Sequence, residues 1–292
     1  MGLSSLRIDQ FSTVVFAGGG NRCWWQAGLI SRLIEQGIVL PTHLIGTSAG
    51  AAIAAAYLVN SMSEAINSSI KFYQQNKTLF QWEKLLRLQV EFAHREIYPL
   101  WIKSFMTLPA FEVAKVSKHR LTVAVTHPNR VIGTPISIVL ATAAYLIDKK
   151  VLHSIHPKIP KYIGLSQGFY SLNECTSVED AQLLLCAAAA VPPVMPPSKI
   201  EGLCAFDGGY TDNAPIVTQS ESEKVKTLVL LTRHYPKYPT IFQHARRTYL
   251  QPSRPVPVST WDCTAKATIS DAFSLGYEDA QRLLKVQWWF NF

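Results

Sequence analysis

The chain carries the stretch His43-Leu44-Ile45-Gly46-Thr47-Ser48-Ala49-Gly50, and this stretch decides how it folds. The apolar run before Gly46 predicts a short strand, and the alanine-rich run 51–58 predicts a helix. Between them, the pattern Gly-x-Ser-x-Gly is typical of a nucleophile elbow, a tight turn that projects a serine hydroxyl into a cleft. Gly46 and Gly50 give the turn the room it needs. The positive end of the helix lies near the serine. We therefore predict that Ser48 is a nucleophile; the alternative is a tight turn with a passive serine.

A glycine-rich loop lies about one helix before that turn. Residues 12–17 predict a short buried strand, the run Gly18-Gly19-Gly20 follows it, and a helical pattern then extends to Gly37. Parallel strands joined by one helix normally lie side by side, so both loops are expected at the same edge of a sheet. Backbone amides of the loop would then face the oxyanion of an acyl-transfer intermediate. Dinucleotide binding is the competing function, but the G-x-G-x-x-G spacing is missing. A purely structural turn is the remaining alternative.

A third element places a carboxylate at the end of a strand. The apolar run 203–206 predicts that strand, and Asp207 follows it, with Gly208 and Gly209 forming the next turn. A base at a strand end requires this arrangement, although aspartate in a turn often bonds only the nearby backbone. Asp207 is therefore a candidate base.

These three elements, in this order, resemble the patatin-like lipid acyl hydrolase family over about residues 12–280. The resemblance implies a three-layer α/β/α fold and a serine–aspartate dyad that works without histidine, with Ser48 as nucleophile and Asp207 as its base. Arg22 matches the family's basic position, where it would hold the loop or the anion. The glycines that would support the two turns are Gly46, Gly50, Gly208 and Gly209. By the same resemblance, the oxyanion hole is formed by the backbone of Gly18, Gly19, Gly20 and Asn21.

A carboxylate in a closed cleft has the chemistry that a serine–aspartate dyad requires. Aspartate has an ordinary pKa of about 3.9, which makes it a weak base in water. Exclusion of water raises that pKa and strengthens the base toward a serine hydroxyl. We therefore expect attack of Ser48 on an ester carbonyl, an acyl-enzyme, and then hydrolysis or transfer.

The residues after Arg22 depart from the family pattern, because Cys23, Trp24 and Trp25 stand where many members have a glycine and small residues. The two large rings would either narrow the acyl site or anchor the helix in the core. Cys23 has the position of a reactive thiol at a helix N-terminus, but cysteines are more often small buried hydrophobes.

A serine–aspartate–histidine triad is the main catalytic alternative, since His234 and His244 follow Asp207 in the order that α/β-hydrolases use. Only about one helix separates Gly20 from Ser48, however, and this is too little chain for several βα units between oxyanion loop and serine. The five cysteines form no C-x-x-C pair and no H-E-x-x-H occurs. We therefore expect no metal site and no cofactor.

Composition suits one large domain over residues 1–292. Of the 292 residues, 48% are hydrophobic and 16% charged, which excludes a disordered or fibrous chain. We expect an α/β fold with a central, mostly parallel sheet and helices on both faces. An odd number of cysteines without a disulfide pattern favours a reducing compartment, so we expect a cytoplasmic protein, peripheral at the membrane. The net charge of +8 favours anionic surfaces. No recognition motif or dense basic cluster points to nucleic acid.

The composition of two segments is typical of elements that contact lipid, and we call them the lipid-handling segments. Residues 78–111 are dense in large apolar side chains with charges at helical spacing, which predicts a lid or cap; a core helix pair is the alternative. Residues 131–147 carry no charge, and basic residues flank them. A core or cap helix, a surface-docking helix and a membrane span are the three interpretations. We expect residues 131–161 to contact anionic membrane.

The sequence thus predicts a serine hydrolase that cleaves lipid acyl esters, with phospholipid or lysophospholipid as substrate. Acyl transfer to an acceptor other than water is one alternative. A catalytically silent lipid-binding or regulatory protein of the same fold is the other. The pattern leaves the oligomeric state open.

Overall fold

The computed structural model describes residues 7–80 and 91–289. Within these residues, nine strands form one sheet in the spatial order β5-β6-β3-β2-β1-β7-β9-β8, and β4 also pairs with β3. The strands are β1 (Thr13–Phe16), β2 (His43–Thr47), β3 (Arg120–His127), β4 (Ser166–Ser171), β5 (Ser198–Ile200), β6 (Leu203–Asp207), β7 (Thr227–Leu230), β8 (Ile241–His244) and β9 (Arg247–Leu250).

The middle of the sheet is parallel and its borders are antiparallel. Strands β3, β2, β1, β7 and β9 run in one direction. Strands β4 and β6 pair antiparallel with β3, β5 with β6, and β8 with β9. The mostly parallel sheet predicted from the sequence is confirmed, and the carboxyl ends of β1 and β2 lie side by side as expected.

Helices surround this sheet and bury its apolar faces. They are α1 (Trp24–Glu35), α2 (Ser48–Leu58), α3 (Met62–Gln75), α4 (His94–Phe105), α5 (Leu108–Val116), α6 (Gly133–Ile147), α7 (Ile159–Tyr162), α8 (Val178–Ala188), α9 (Glu221–Val225) and α10 (Ile269–Trp289). Alternate residues of β1 point to opposite faces, so Val14 and Phe16 join the largest hydrophobic core while Val15 joins a second one.

Helices α1 and α10 approach each other closely because glycines lie at their contact. A side chain at Gly28 would overlap the carbonyl oxygen of Phe273, and one at Gly276 would overlap that of Trp25. The indole Nε1 of Trp25 donates to Asp279 Oδ2 at 2.8 Å in the buried interface. Both tryptophans after Arg22 are buried in the largest core, Trp25 completely, so both rings anchor the helix there.

Helices form most of the described part of the two predicted lipid-handling segments, and an isolated antiparallel bridge joins Phe80 and Phe92. Residues 81–90 of the predicted lid lie outside the described residues, and α4 buries Trp101, Ile102 and Phe105 in the largest core. Helix α6 occupies most of the uncharged stretch 131–147. Across residues 7–80 and 91–289, no helix combines the length and the apolar character that crossing a membrane requires.

Candidate active site

Ser48 occupies a strained turn between β2 and α2. Its φ of +52° lies in the left-handed region, which residues other than glycine rarely adopt. A Cβ at Gly46 would lie 2.6 Å from the Cα of Ala51. A Cβ at Gly50 would lie 2.5 Å from the carbonyl oxygen of Ala17. Both glycines are therefore required, because the turn folds the first residues of α2 directly against the neighbouring backbone.

The register of β3 brings Asp207 to this turn. Ala124 of β3 pairs with Thr47 at the end of β2, and the next residue, Val125, pairs with Asp207 at the end of β6. The residue that follows β2 and the last residue of β6 consequently meet. The Oγ of Ser48 donates to Oδ2 of Asp207 at 2.7 Å. The two side chains are 159 positions apart in the sequence.

The Asp207 carboxyl is buried and hydrogen-bonded on both oxygens. Its exposed fraction is 5%, and Oδ1 accepts from the backbone N–H of Gly209 at 2.7 Å. Burial raises the pKa of Asp207 to about 6, although the hydrogen bonds from Ser48 and Gly209 act in the opposite direction. The group is therefore ionised at neutral pH and is a stronger base than an aspartate in water.

Gly208 allows the two turns to pack together. A Cβ there would overlap the hydroxyl oxygen of Thr47 and lie 2.5 Å from the carbonyl oxygen of Ala124. Gly209 has less need to be glycine, since the nearest atoms to a Cβ there are side-chain oxygens, Asn213 Oδ1 at 2.8 Å and Asp207 Oδ1 at 3.0 Å.

The glycine-rich loop lies beside Ser48, but only some of its backbone N–H groups are free to donate a hydrogen bond to a ligand. The N–H of Gly18 donates to the carbonyl of Asn213 at 2.8 Å, and that of Asn21 donates to the carbonyl of Thr260 at 3.1 Å. Within the described residues, the amides of Gly19 and Gly20 have no hydrogen-bond acceptor. The amides of Gly18 and Asn21 thus already donate to backbone carbonyls, and the assignment of all four residues to an oxyanion hole stays a prediction.

Side chains from distant segments hold this loop in place. Asn213 Nδ2 and Thr232 Oγ1 donate to the Gly18 carbonyl at 2.8 and 2.5 Å. Asn21 Nδ2 donates to the carbonyl of Ser259 at 3.0 Å. Sequence reasoning gave Asn213 and Thr232 no role, because a single polar residue in a loop carries no signal until the fold shows what it contacts.

Arg22 extends from the same loop into the site. Its Nε donates to the Gly19 carbonyl at 3.3 Å, and burial lowers the pKa of its guanidinium. No carboxylate of the described residues forms an ion pair with it. Arg22 can therefore hold the loop and still present positive charge to a ligand.

Two cavities meet at Ser48, and they differ in chemistry. The first, of about 530 Å³, is lined mainly by apolar and aromatic side chains, and we name it the aromatic cavity. Two of its lining residues, Trp24 and Trp101, contact each other with ring centroids 5.7 Å apart. The second, of about 440 Å³, contains Arg22 and Asp207. Residues common to both cavities are Gly20, Ser48, Thr260 and Trp261.

The histidines proposed for a triad lie elsewhere. His234 Nδ1 is 2.8 Å from the carbonyl of Pro252, and His244 stacks on His156 with ring centroids 6.4 Å apart. Neither lines the cavities that contain Ser48. His94, which the sequence gave no reason to select, lines the aromatic cavity, and its Nδ1 lies 3.8 Å from the sulfur of Cys263.

The thiol next to Arg22 is buried. Cys23 donates to the Ala17 carbonyl at 3.6 Å, and burial raises the pKa of its thiol far above the ordinary value. Such a group is a poor nucleophile. In the part of the chain that the structure describes, no three histidine, cysteine or acidic side chains group together as metal ligands.

A family model described as patatin-like phospholipase matches residues 14–218, which is more than half of the chain. The comparison with curated proteins gives no match. Among solved structures, the chain is similar to VipD from Legionella pneumophila, with 13% sequence identity and a TM-score of 0.46 over 96% of this chain and 67% of that chain.

Proposed function

This chain belongs to the patatin-like phospholipase family, and from that premise we propose that it hydrolyses lipid acyl esters through a dyad of Ser48 and Asp207. The observation that carries the proposal is the 2.7 Å hydrogen bond from Ser48 Oγ to the buried carboxylate of Asp207. A base for a serine must accept its proton at this distance, and the desolvated carboxylate is suited to do so.

Hydrolysis proceeds in two steps at this site. Ser48 Oγ attacks the ester carbonyl carbon while its proton passes to Asp207 Oδ2. The oxyanion accepts hydrogen bonds from the amides of Gly19 and Gly20. Collapse of the intermediate expels the alcohol, which takes the proton from Asp207 and leaves an acyl-enzyme. A water molecule then attacks the acyl carbon with Asp207 as base, and this releases the fatty acid and restores Ser48.

The two cavities at Ser48 support a substrate with one apolar and one polar part. An acyl chain suits the cavity that Trp24 and Trp101 line, since burial of apolar area stabilises binding. The alcohol part of the ester then faces the cavity with Arg22. A phospholipid or lysophospholipid has this division.

Turnover of a short-chain chromogenic ester tests the enzymatic proposal. Wild type should hydrolyse it and Ser48→Ala should not, while both melt at similar temperatures. A folded wild type without turnover would favour a lipid-binding protein without catalysis. Product analysis in the presence of an added alcohol distinguishes hydrolysis from acyl transfer, because transfer would yield a new ester in place of fatty acid.

We also propose that the outer face of α6 contacts anionic membrane. Ala141 and Ala144 of this helix are buried, whereas Val139 is 67% exposed. Tyr145 lines the cavity that also holds Arg22 and Asp207, which we name the catalytic cavity. The net charge of +8 complements an anionic surface. A group of exposed apolar side chains is typical of an interaction site. Those on α6 are Ile136, Val139, Leu140, Leu146 and Ile147, while Val131 lies just before the helix and Val151 and Leu152 lie just after it.

A further inference from the structure

A third cavity continues from the catalytic one away from the aromatic side. Its volume is about 480 Å³. Residues that line both it and the catalytic cavity are Arg22, Tyr145, Asn213 and Gly209. Because Asp207 and Ser48 lie in the catalytic cavity, a ligand can extend from the dyad into this space, which we name the headgroup cavity.

Two arginines line the headgroup cavity. Arg22 comes from the glycine-rich loop. Arg233 follows Thr232, whose hydroxyl donates to the Gly18 carbonyl, so the segment that carries Arg233 is hydrogen-bonded to that loop. The guanidinium of Arg233 lies 5.7 Å from the centre of the Tyr235 ring. Neither arginine has an ion-pair partner among the residues that the structure describes. Guanidinium groups bind phosphate through charge-assisted hydrogen bonds.

A carboxylate shares the same space. Asp148 is 7% exposed, and its Oδ1 accepts from the N–H of Ser154 at 3.3 Å. It forms no ion pair with either arginine or with any other described residue. The headgroup cavity is therefore lined by two arginines and one aspartate, and these three side chains form no ion pair with one another.

This charge pattern matches a zwitterion with one phosphodiester and one ammonium group. We propose that the headgroup cavity binds the zwitterionic headgroup of an amino-phospholipid, with the phosphodiester at Arg22 and Arg233 and the ammonium at Asp148. The inference rests on the proposed function and specifies its substrate. The acyl chain then occupies the aromatic cavity, and the scissile ester lies at Ser48 between the two. Arg233 and Asp148 are specificity-determining residues in this account.

The test compares lipids that differ only in the headgroup. Mixed detergent micelles carry phosphatidylethanolamine, phosphatidylglycerol or diacylglycerol, and kcat/KM is measured for wild type, Arg233→Gln and Asp148→Asn. Arg233→Gln should lower the ratio of phosphatidylethanolamine to diacylglycerol hydrolysis about tenfold or more, because a charge-assisted hydrogen bond is lost. Asp148→Asn should lower the ratio of phosphatidylethanolamine to phosphatidylglycerol hydrolysis by a similar factor. Lys237→Gln is the matched control, since Lys237 is an exposed cation near the Tyr238 ring and should leave both ratios unchanged.

A soluble probe gives a second readout. Glycerophosphoethanolamine should inhibit hydrolysis of the chromogenic ester competitively, and its inhibition constant should rise in both variants. Equal losses on all three lipids in Arg233→Gln would show a structural role and overturn the proposal. An unchanged preference for phosphatidylethanolamine over phosphatidylglycerol in Asp148→Asn would also overturn it. Failure of the proposed function looks different, because wild type would then hydrolyse neither the lipids nor the ester.

Discussion

The dyad and helix α6 are adjacent, yet they differ in how their side chains are covered. Ser48 and Asp207 are at least nine-tenths buried and bond to each other. The outer face of α6 has apolar side chains such as Val139 in solvent, although the inner face of the helix lines the catalytic cavity. Under the proposed function, this difference separates two tasks. Packed backbone would fix the reacting groups, whereas the uncovered helix face would contact a lipid surface.

The largest effect we expect, short of removing the dyad, comes from crowding its backbone. Gly50→Ala places a Cβ 2.5 Å from the Ala17 carbonyl oxygen, so the elbow must shift. Because small misplacements of reacting groups cost large factors in rate, kcat/KM for a soluble ester should fall about 100-fold or more. Gly37→Asn is the control, since no atom lies within 4 Å of a Cβ there and asparagine tolerates the positive φ. Similar activity in both variants would contradict the need for close packing at the elbow.

The pH dependence should report the buried carboxylate. Asp207 has a pKa raised to about 6, and only its ionised form accepts the Ser48 proton. Below pH 6, therefore, kcat/KM should fall about tenfold for each pH unit, and above that pH it should level off. The measurement is a pH–rate profile with a soluble ester, with circular dichroism confirming the fold at each pH. A flat profile down to pH 4.5 in folded protein would argue against this base.

On the α6 side, a charge on the outer face should weaken membrane contact. Val139→Glu removes an apolar contact and adds repulsion from anionic lipid, so co-sedimentation with anionic vesicles should weaken about fivefold or more. Val116→Glu is the control because Val116 is also exposed, at 85%, but belongs to α5. Equal losses in the two variants would show that α6 has no special role.

The two lysines that follow α6 in the sequence should matter less for vesicle binding than its apolar side chains, and their effect should depend on salt. Replacing Lys149 and Lys150 with glutamate should weaken vesicle binding at low salt and have less effect at high salt, because screening shortens the range of the attraction. Co-sedimentation at two salt concentrations measures this. If the double variant bound vesicles as well as wild type at both salt concentrations, these two lysines would not contribute electrostatic attraction.

The smallest effect concerns the thiol in the aromatic cavity. Cys23 is buried with a raised pKa, so iodoacetamide should leave the activity of the native protein nearly unchanged. Mass spectrometry should find Cys23 unmodified until the protein is denatured. Rapid inactivation with label on Cys23 would mean that this cavity opens far more than the structure shows.

The parts of the site that the sequence predicted are those formed by neighbouring residues. The elbow around Ser48 needs only Gly46, Gly50 and a strand followed by a helix, and each of these is visible in a short stretch of sequence. The same holds for the strand that ends at Asp207. Local patterns of this kind predict turns because the required backbone geometry restricts the residue types.

The remaining features depend on residues that only the fold brings together. The sequence gives no sign that the N–H of Gly18 is already hydrogen-bonded, yet it donates to the carbonyl of Asn213, 195 positions later. Strand β6 reads as an ordinary apolar run, and its antiparallel pairing with β3 has no local signature. Likewise, Arg22 and Arg233 share a cavity although no pattern connects them.

The central claim is that Asp207, and not a histidine, activates Ser48. The most direct measurement is kcat/KM for a short-chain ester in Asp207→Asn, beside His94→Ala in the aromatic cavity and His234→Ala, with the fold of each checked by circular dichroism. The account predicts a loss of about 10³-fold or more in Asp207→Asn and nearly full activity in both histidine variants. A folded and active Asp207→Asn together with a folded but inactive histidine variant would contradict it.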